Sequence, residues 1–211
     1  LEITDGNFES TGVWEYGEPT FTLQTAHSGS RVWGTNLSGA YPDTEGSSYL
    51  ELPSINLDGL SSAYLVFWHW YDFEYRGRAE PGRLVQGTFW DGGNVKVAVG
   101  NQNYQVVEPE GGYPWFIDSG SSNPLGGETA FGAYSFGWRR VILPLPTGRD
   151  VRVRFDVGYD DSNLEQSVAY AGWYIDDISI TTERPSDSTP PLVLLTPPAL
   201  GIQPVGQALP G

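Results

Sequence analysis

The sequence predicts an all-β fold, a two-sheet antiparallel jelly-roll sandwich followed by an extended Pro-rich C-terminal tail, and three observations carry that prediction. Glycine (27) and proline (16) together supply about a fifth of the 211 residues, which leaves little room for helices of ordinary length. Apolar residues alternate with period two. Val95, Val97 and Val99 alternate with Lys96 and Ala98, and Val151, Val153, Phe155 and Val157 alternate with Arg152, Arg154 and Asp156, the pattern of strands with one core face and one wet face. Across residues 63–71 both faces are apolar, with Leu65 and Phe67 on one and Val66, Trp68 and Trp70 on the other, as in a central sandwich strand.

Further strands are expected near residues 21–25, 48–52, 87–89, 138–143 and 172–180. Turn chemistry such as Asp91-Gly92-Gly93 and Glu110-Gly111-Gly112 separates them. About ten short strands, joined by long loops rich in Gly, Ser and Asn, fit two packed sheets better than a closed barrel. No internal repeat is visible. The domain is expected to span residues 1–182. Residues 183–211 hold seven prolines in 29 positions, Pro190-Pro191 and Pro197-Pro198 among them, and read as a linker or the start of a truncated next module. Residues 193–195 within it are apolar enough to pack against a sheet edge.

A chain of this length buries about 70% of its unfolded surface and needs no staples. None are available, since there is no cysteine. That removes disulfides, thiol nucleophiles and Cys-ligated zinc. A formal charge of −15 repels phosphate backbones and anionic headgroups, so nucleic acid is a poor partner and cations are good ones. No apolar run is long enough for a spanning helix, so membrane insertion is not expected. Leu1, with no methionine anywhere, implies a processed or excised chain from which a signal peptide has been removed, and a secreted or cell-surface location.

The stretch Gly172-Trp173-Tyr174-Ile175-Asp176-Asp177-Ile178 carries the most chemistry. Unbroken alternation would put Asp176 on the face of Tyr174, Ile178 and Ile180, which should be the core. A β-bulge would exchange it with Asp177. A carboxylate buried there must be protonated, paired or metal-bound, and basic partners are few. Asp5 and Glu9 offer oxygen donors from the first strand, which is often the neighbour of the last, and hard oxygen ligands without His or Cys select Ca²⁺. Alternatively, Asp176 or Asp177 caps a loop or accepts backbone N–H groups. A second acidic set comprises Asp72, Glu74 and Asp91, with Asp160 and Asp161 as further members. Glu74 and Asp72 share strand parity with Trp68 and Trp70. This set could form another calcium site, a paired-carboxylate hydrolase centre with carboxyls about 5 to 10 Å apart, or solvated loop acids.

Histidine is limited to His27 and His69, both expected to be structural, with His69 satisfying a hydrogen bond in the core. No Gly-x-Ser-x-Gly elbow accompanies either, and no Gly-rich turn carries the Lys-Ser/Thr of a phosphate loop. Aromatics make up 14% of residues. Tyr113, Trp115, Trp14 and Tyr41 could stack sugars, with Asn103, Gln105 or Asp118 for hydroxyls, or the same rings could fill the core.

The chain resembles the MAM-like jelly-roll domains associated with immune inhibitor A-type (M6) metallopeptidases, and related jelly-roll carbohydrate-binding modules. The matching residues are Asp5-Gly6-Asn7-Phe8-Glu9, Ala26-His27-Ser28-Gly29-Ser30, Trp68-His69-Trp70-Tyr71-Asp72-Phe73-Glu74, Asp91-Gly92-Gly93-Asn94-Val95, Gly111-Gly112-Tyr113-Pro114, Gly137-Trp138-Arg139-Arg140, Val151 to Phe155, and Gly172 to Ile178. They cover about residues 3–182. The resemblance implies a structural calcium near the chain ends, held by Glu9, one of Asp176 or Asp177, and carbonyls around Ser28 to Ser30. It implies no catalysis in this domain, and the His-Glu-x-x-His helix of the peptidase does not occur in the sequence. The expectation is therefore a non-catalytic, calcium-stabilised accessory or adhesion module of an exported multidomain protein such as a peptidase, partnered by neighbouring domains and by a glycan or protein at the cell surface. The alternatives are a carbohydrate-binding module and a paired-carboxylate hydrolase.

Overall fold

The computed structural model describes residues 8–22, 25–42, 44–80, 83–161 and 169–186, with 78–80 and 83–86 described by backbone alone. In chain order the strands are β1 (Glu9–Ser10), β2 (Trp14–Gly17), β3 (Val32–Thr35), β4 (Gly46–Glu51), β5 (Ala63–Asp72), β6 (Tyr75–Glu80), β7 (Arg83–Phe89), β8 (Gly92–Val99), β9 (Gln105–Val106), β10 (Trp115–Phe116), β11 (Thr129–Ala130), β12 (Arg139–Leu145), β13 (Val151–Tyr159) and β14 (Gly172–Thr181). They form a jelly-roll sandwich of two five-stranded sheets, ordered β12-β5-β14-β3-β2 and β1-β4-β13-β8-β9, with two further pairs, β6-β7 and β10-β11. All pairings between strands are antiparallel. The chain passes directly from one large sheet to the other at β1-β2, β3-β4, β4-β5, β12-β13 and β13-β14, so several strands adjacent in sequence lie in opposite sheets.

The valine alternation does what its period requires. Phe155 on β13 sits between Leu50 of β4 and Val95 of β8, and all three are fully buried against the opposite sheet. Phe67 of β5 meets Phe155 edge-on, ring centroids 5.0 Å apart, and Trp173 of β14 closes the same cluster. Each such side chain contributes about 1.5 to 3 kcal/mol on leaving water. Gly93 on β8 makes room for Trp173: a Cβ there would lie 2.4 Å from the indole ring.

The two-faced pattern of β5 also has its reason. Leu65 and Phe67 enter the main core, whereas Trp70 packs with Tyr174, Val32 and Leu37 on the outer face of the sheet, beneath segments carrying Phe21, Ala26, Tyr134 and Trp138. The other sheet departs from the simple wet-face expectation. Lys96, Ala98 and Asp156 are buried, with Lys96 Nζ 2.8 Å from Glu128 and 3.3 Å from Asp156. Arg154 lies over Tyr49 and Tyr104, so an arginine expected in water is covered by rings.

Three expectations are corrected. Residues 21, 22 and 25 are bends rather than strand, because Phe21 packs flat onto the outer cluster; residues 23–24 lie outside the described residues. The first strand is not a neighbour of the last: β1 pairs with β4 in one sheet, and β14 lies between β5 and β3 in the other. The alternation of β14 also breaks at a bulge between Asp176 and Ser179, where Asp177 takes φ +49°. Trp173 and Ile175 point inward before it, Ile178 and Ile180 after it, and Asp176 shares the outward face with Tyr174. The tail from 187, including residues 193–195, lies outside the described residues.

Candidate functional site

Three loop ends converge beneath one edge of the core. Glu74 lies two residues beyond β5, Asp91 in the connection from β7 to β8, and Asp160 just after β13. One carboxylate oxygen from each comes within 4.8 Å of the others, and the three residues are 4%, 2% and 3% exposed. Local structure explains the convergence. Phe73 is fully buried and its N–H donates to Ala133 O (2.7 Å), which turns the chain after Asp72 and swings Glu74 away from the strand's outer face. The turn expected at Asp91-Gly92-Gly93 is absent: Gly92 and Gly93 open β8 and pair with Gly158 and Val157 of β13, and Asp91, directly before the strand, is buried.

Tyr41 ties the three segments together. Its hydroxyl donates to Asp91 Oδ2 (2.5 Å) and accepts the N–H of Glu74 (3.0 Å), while Asp91 Oδ1 accepts the N–H of Asp160 (2.8 Å). Burial pushes the Asp91 carboxyl up to about 7, against the hydrogen bonds from Tyr41 and the Asp160 N–H and reinforced by the charges of Asp160 and Glu74. Burial and the adjacent Asp91 likewise raise the Tyr41 phenol. Burial disfavours the charged form of each carboxylate, and a cation among them would offset that cost. Their donor set is entirely oxygen, which fits a hard divalent ion such as Ca²⁺ and not a soft metal.

Of the acidic set read from sequence, Glu74, Asp91 and Asp160 are brought together, and Asp72 and Asp161 are not. Asp72 pairs in register with Gly172, accepts the Ala171 N–H, and is pushed up to about 6 mainly by burial. The parity that linked Asp72 to Glu74 ends with the strand. Asp161 is exposed and accepts from Ser122 Oγ.

The set at the chain ends is only partly assembled. Asp176 Oδ2 accepts the Ser28 N–H (3.0 Å) and its Oδ1 the Asp177 N–H (2.8 Å). Burial raises its pKa, offset by those two bonds. Asp177 pairs with His27 Nδ1 and with Ser28 Oγ, both at 2.5 Å, and His27 stacks on Trp68 with centroids 3.8 Å apart. Donors of the protein thus occupy these carboxylates, the alternative weighed from the sequence. Ser30 is exposed in the same loop; Glu9 is exposed on β1, opposite Glu51 in the other sheet; Asp5 lies outside the described residues.

The four candidate stacking rings do not form a row. Trp14 and Tyr41 are buried in the core and present no face to a sugar. Tyr113 is half-buried, its hydroxyl donating to Val107 O and accepting the Val95 N–H, and Trp115 stacks on Phe89 at 4.1 Å. Asn103 and Gln105 are exposed around β9, and Asp118 is half-buried, with Oδ1 accepting the Gly120 N–H. His69 is buried, as expected, with Nδ1 accepting from Trp173 Nε1 (3.2 Å); burial and the Arg139 charge lower its pKa to about 3. Sequence reasoning missed the role of Tyr41, since a lone Tyr in a Gly- and Pro-rich loop gives no sign of a carboxylate opposite. Asp160 was legible as the first acid after the alternation of residues 151–159 ends.

No family model matches the chain. It is 28% identical over 188 residues to Bacillopeptidase F of Bacillus subtilis (strain 168), a match covering 86% of this chain and 10% of that protein. The chain therefore spans about a tenth of the length of the curated relative it matches. Among solved structures it is similar to TmCBM61 in complex with β-1,4-galactotriose (TM-score 0.45, 14% identity, 84% of this chain and 90% of that one). It is also similar to a family 35 carbohydrate-binding module from Clostridium thermocellum (TM-score 0.40, 12% identity, 85% and 95%). A third is the K1 cleaved adhesin domain of Lys-gingipain from Porphyromonas gingivalis W83 (TM-score 0.44, 14% identity, 87% and 94%).

Proposed function

We propose that this chain is a non-catalytic accessory module of a larger secreted or cell-surface protein, of the peptidase kind, stabilised by a calcium ion held by Glu74, Asp91 and Asp160. The observation that carries the reading is the convergence of these three carboxylates in a buried pocket of oxygen donors. The match to a tenth of Bacillopeptidase F supports a module within a longer protein. In this reading residues 1–182 are the folded unit and 183–211 lead towards a neighbour. A paired-carboxylate hydrolase fits poorly, because acids no more than 4% exposed cannot meet a glycosidic bond.

Function here is thermodynamic. An ion that binds only the native state adds RT ln(1 + [L]/Kd), about 2.7 kcal/mol at a hundredfold excess over Kd, so extracellular calcium keeps the module folded and protease-resistant. The test is thermal unfolding of chelator-treated protein with and without millimolar calcium, magnesium serving as control. A calcium-specific rise of about 5 to 10 °C is expected, kept in Asp176→Asn and lost in Asp91→Asn. No rise in the parent chain overturns the calcium reading, and loss of the rise in Asp176→Asn alone moves the ion to the chain ends. The carbohydrate-binding alternative rests on the 65% exposed ring of Phe116 beside Trp115 on β10. Affinity electrophoresis in polysaccharide gels tests it, since retardation lost in Phe116→Ala is expected only if that surface binds glycan.

A further inference from the structure

At the edge of the sandwich a cavity of about 200 Å³, lined by none of the three carboxylates, opens between β12 and the connection from β9 to β10. His69 and Tyr71 of β5, Phe131, and Arg139, Arg140 and Val141 of β12 line it, with Glu110 on the connecting segment; Arg140 donates to Ser186 O at 3.3 Å. The Glu110 N–H donates to Ile142 O (2.8 Å), which holds that segment against the strand edge and fixes the cavity's outer wall.

The charges in this cavity are unbalanced. The carboxylate in the lining, Glu110, is already taken, its two oxygens accepting Nε and a terminal nitrogen of Arg184 at 2.8 Å each. Arg139 is half-buried and donates Nε to Ser135 O (2.9 Å), which orients the guanidinium. Among the described residues no carboxylate lies within ion-pair distance of it. Desolvation makes a half-buried arginine without an acid costly. His69 contributes polarity without charge. Its Nδ1 accepts from Trp173 Nε1 and it stays neutral, so the ring proton sits on Nε2, a donor.

We propose that this cavity binds a small organic carboxylate, with the Arg139 guanidinium and His69 Nε2–H as its donors and Tyr71, Phe131 and Val141 as walls for the ligand's body. A planar guanidinium matches a carboxylate bidentately. The apolar faces of Tyr71, Phe131 and Val141 suit a carboxylate that carries an organic body, and inorganic phosphate, which the same guanidinium attracts, is the control that separates charge from shape. A body the size of a sugar or aromatic ring fits, so the shared chemistry is a ring-sized acid, either a uronate or an aromatic acid. The inference does not depend on the calcium site.

The indole N–H of Trp173 reports on this cavity through its bond to His69. The experiment titrates the full chain, with ¹⁵N-labelled tryptophan, with D-glucuronate and separately with benzoate, using glucose, benzyl alcohol and inorganic phosphate as controls, both in chelator and in calcium. A saturable millimolar shift of the Trp173 signal with an acid, absent with its neutral counterpart and with phosphate, is expected, and the acid that saturates first identifies the source. Arg139→Gln should weaken binding about tenfold or more, with an unchanged unfolding midpoint in the absence of ligand. Should that variant misfold, Arg139→Lys, which keeps the charge and loses the fork, should bind with intermediate affinity. No saturable shift up to tens of millimolar, an equal response to the neutral compounds, or full affinity in both Arg139 variants overturns the proposal.

Discussion

The hydroxyl of Tyr41 donates to the buried Asp91 carboxylate across 2.5 Å while accepting the backbone N–H of Glu74, so one phenol joins two of the three converging acidic loops. Tyr41→Phe keeps the ring in the core, removes the bond to Asp91 and orphans the Glu74 N–H. A loss of about 2 kcal/mol is expected in chelator, read as a fall of roughly 4 to 8 °C in the unfolding midpoint, with weaker calcium binding in calorimetry. An unchanged midpoint would mean that water replaces the phenol at no cost.

The pH dependence has a definite sign. Asp91 holds its proton up to about pH 7 when folded, whereas in the unfolded chain it ionises near 3.8. Between those values the unfolded state has lost a proton that the folded state keeps, so in chelator this group removes stability as pH rises from about 4 to 7. Calcium binds the ionised form, so its affinity should climb through the same window and level off above pH 7, with proton release on binding at pH 6. Urea unfolding across that window, with and without calcium, checks both. His69 works in the opposite sense. Its folded pKa near 3 lies below the ordinary 6.5, so stability present above 6.5 is lost as pH falls towards 3. Removing the Asp91 effect in Asp91→Asn should make the fall shallower and end it near pH 6, where the raised Asp72 carboxyl has ionised.

The close approach of Gly93 and Trp173 is tested by Gly93→Ala. The added methyl would meet the indole at 2.4 Å and Asp156 O at 2.8 Å. Overpacking on this scale costs about 1 to 3 kcal/mol. It should lower the denaturant midpoint at constant m-value and shift the Trp173 indole resonance. A neutral result would mean that the sheets separate locally at no cost.

His27, Ser28 and Asp177 form a surface latch over the β14 bulge rather than part of the core. Asp177→Ala removes the partly exposed contact with His27 Nδ1 and the Ser28 bond, a change worth about 1 kcal/mol or less. The calcium-dependent rise in melting temperature should survive it intact. Its loss would return the ion to the chain ends.

Sheet membership was legible where side chains repeat. Val95 to Val99 and Val151 to Val157 declare their inner faces by period, and the doubly apolar β5 declares that both its faces are covered. What covers them was not legible, because Lys96, Asp156 and Arg154 look like solvent residues until Glu128 and Tyr104 come over them from distant segments. At the site, the acids were visible as residue types, but their grouping depended on two local events without a periodic signature. The turn at Phe73 parts Glu74 from Asp72, and the bulge at Asp177 brings Ile178 and Ile180 to the inner face while Asp176 stays outward with Tyr174.

The placement of β14 has a mechanical consequence. A pull on the chain beyond Thr181 is transmitted to a ten-residue strand hydrogen-bonded on both sides, to β5 and β3. Load along that strand must shear two ladders together, whereas β1, two residues long at a sheet border, can be unzipped one bond at a time. A module anchored through its C-terminal side would therefore hold against traction far better than one anchored through its N-terminal side, a difference that single-molecule stretching from either end would read as a higher rupture force.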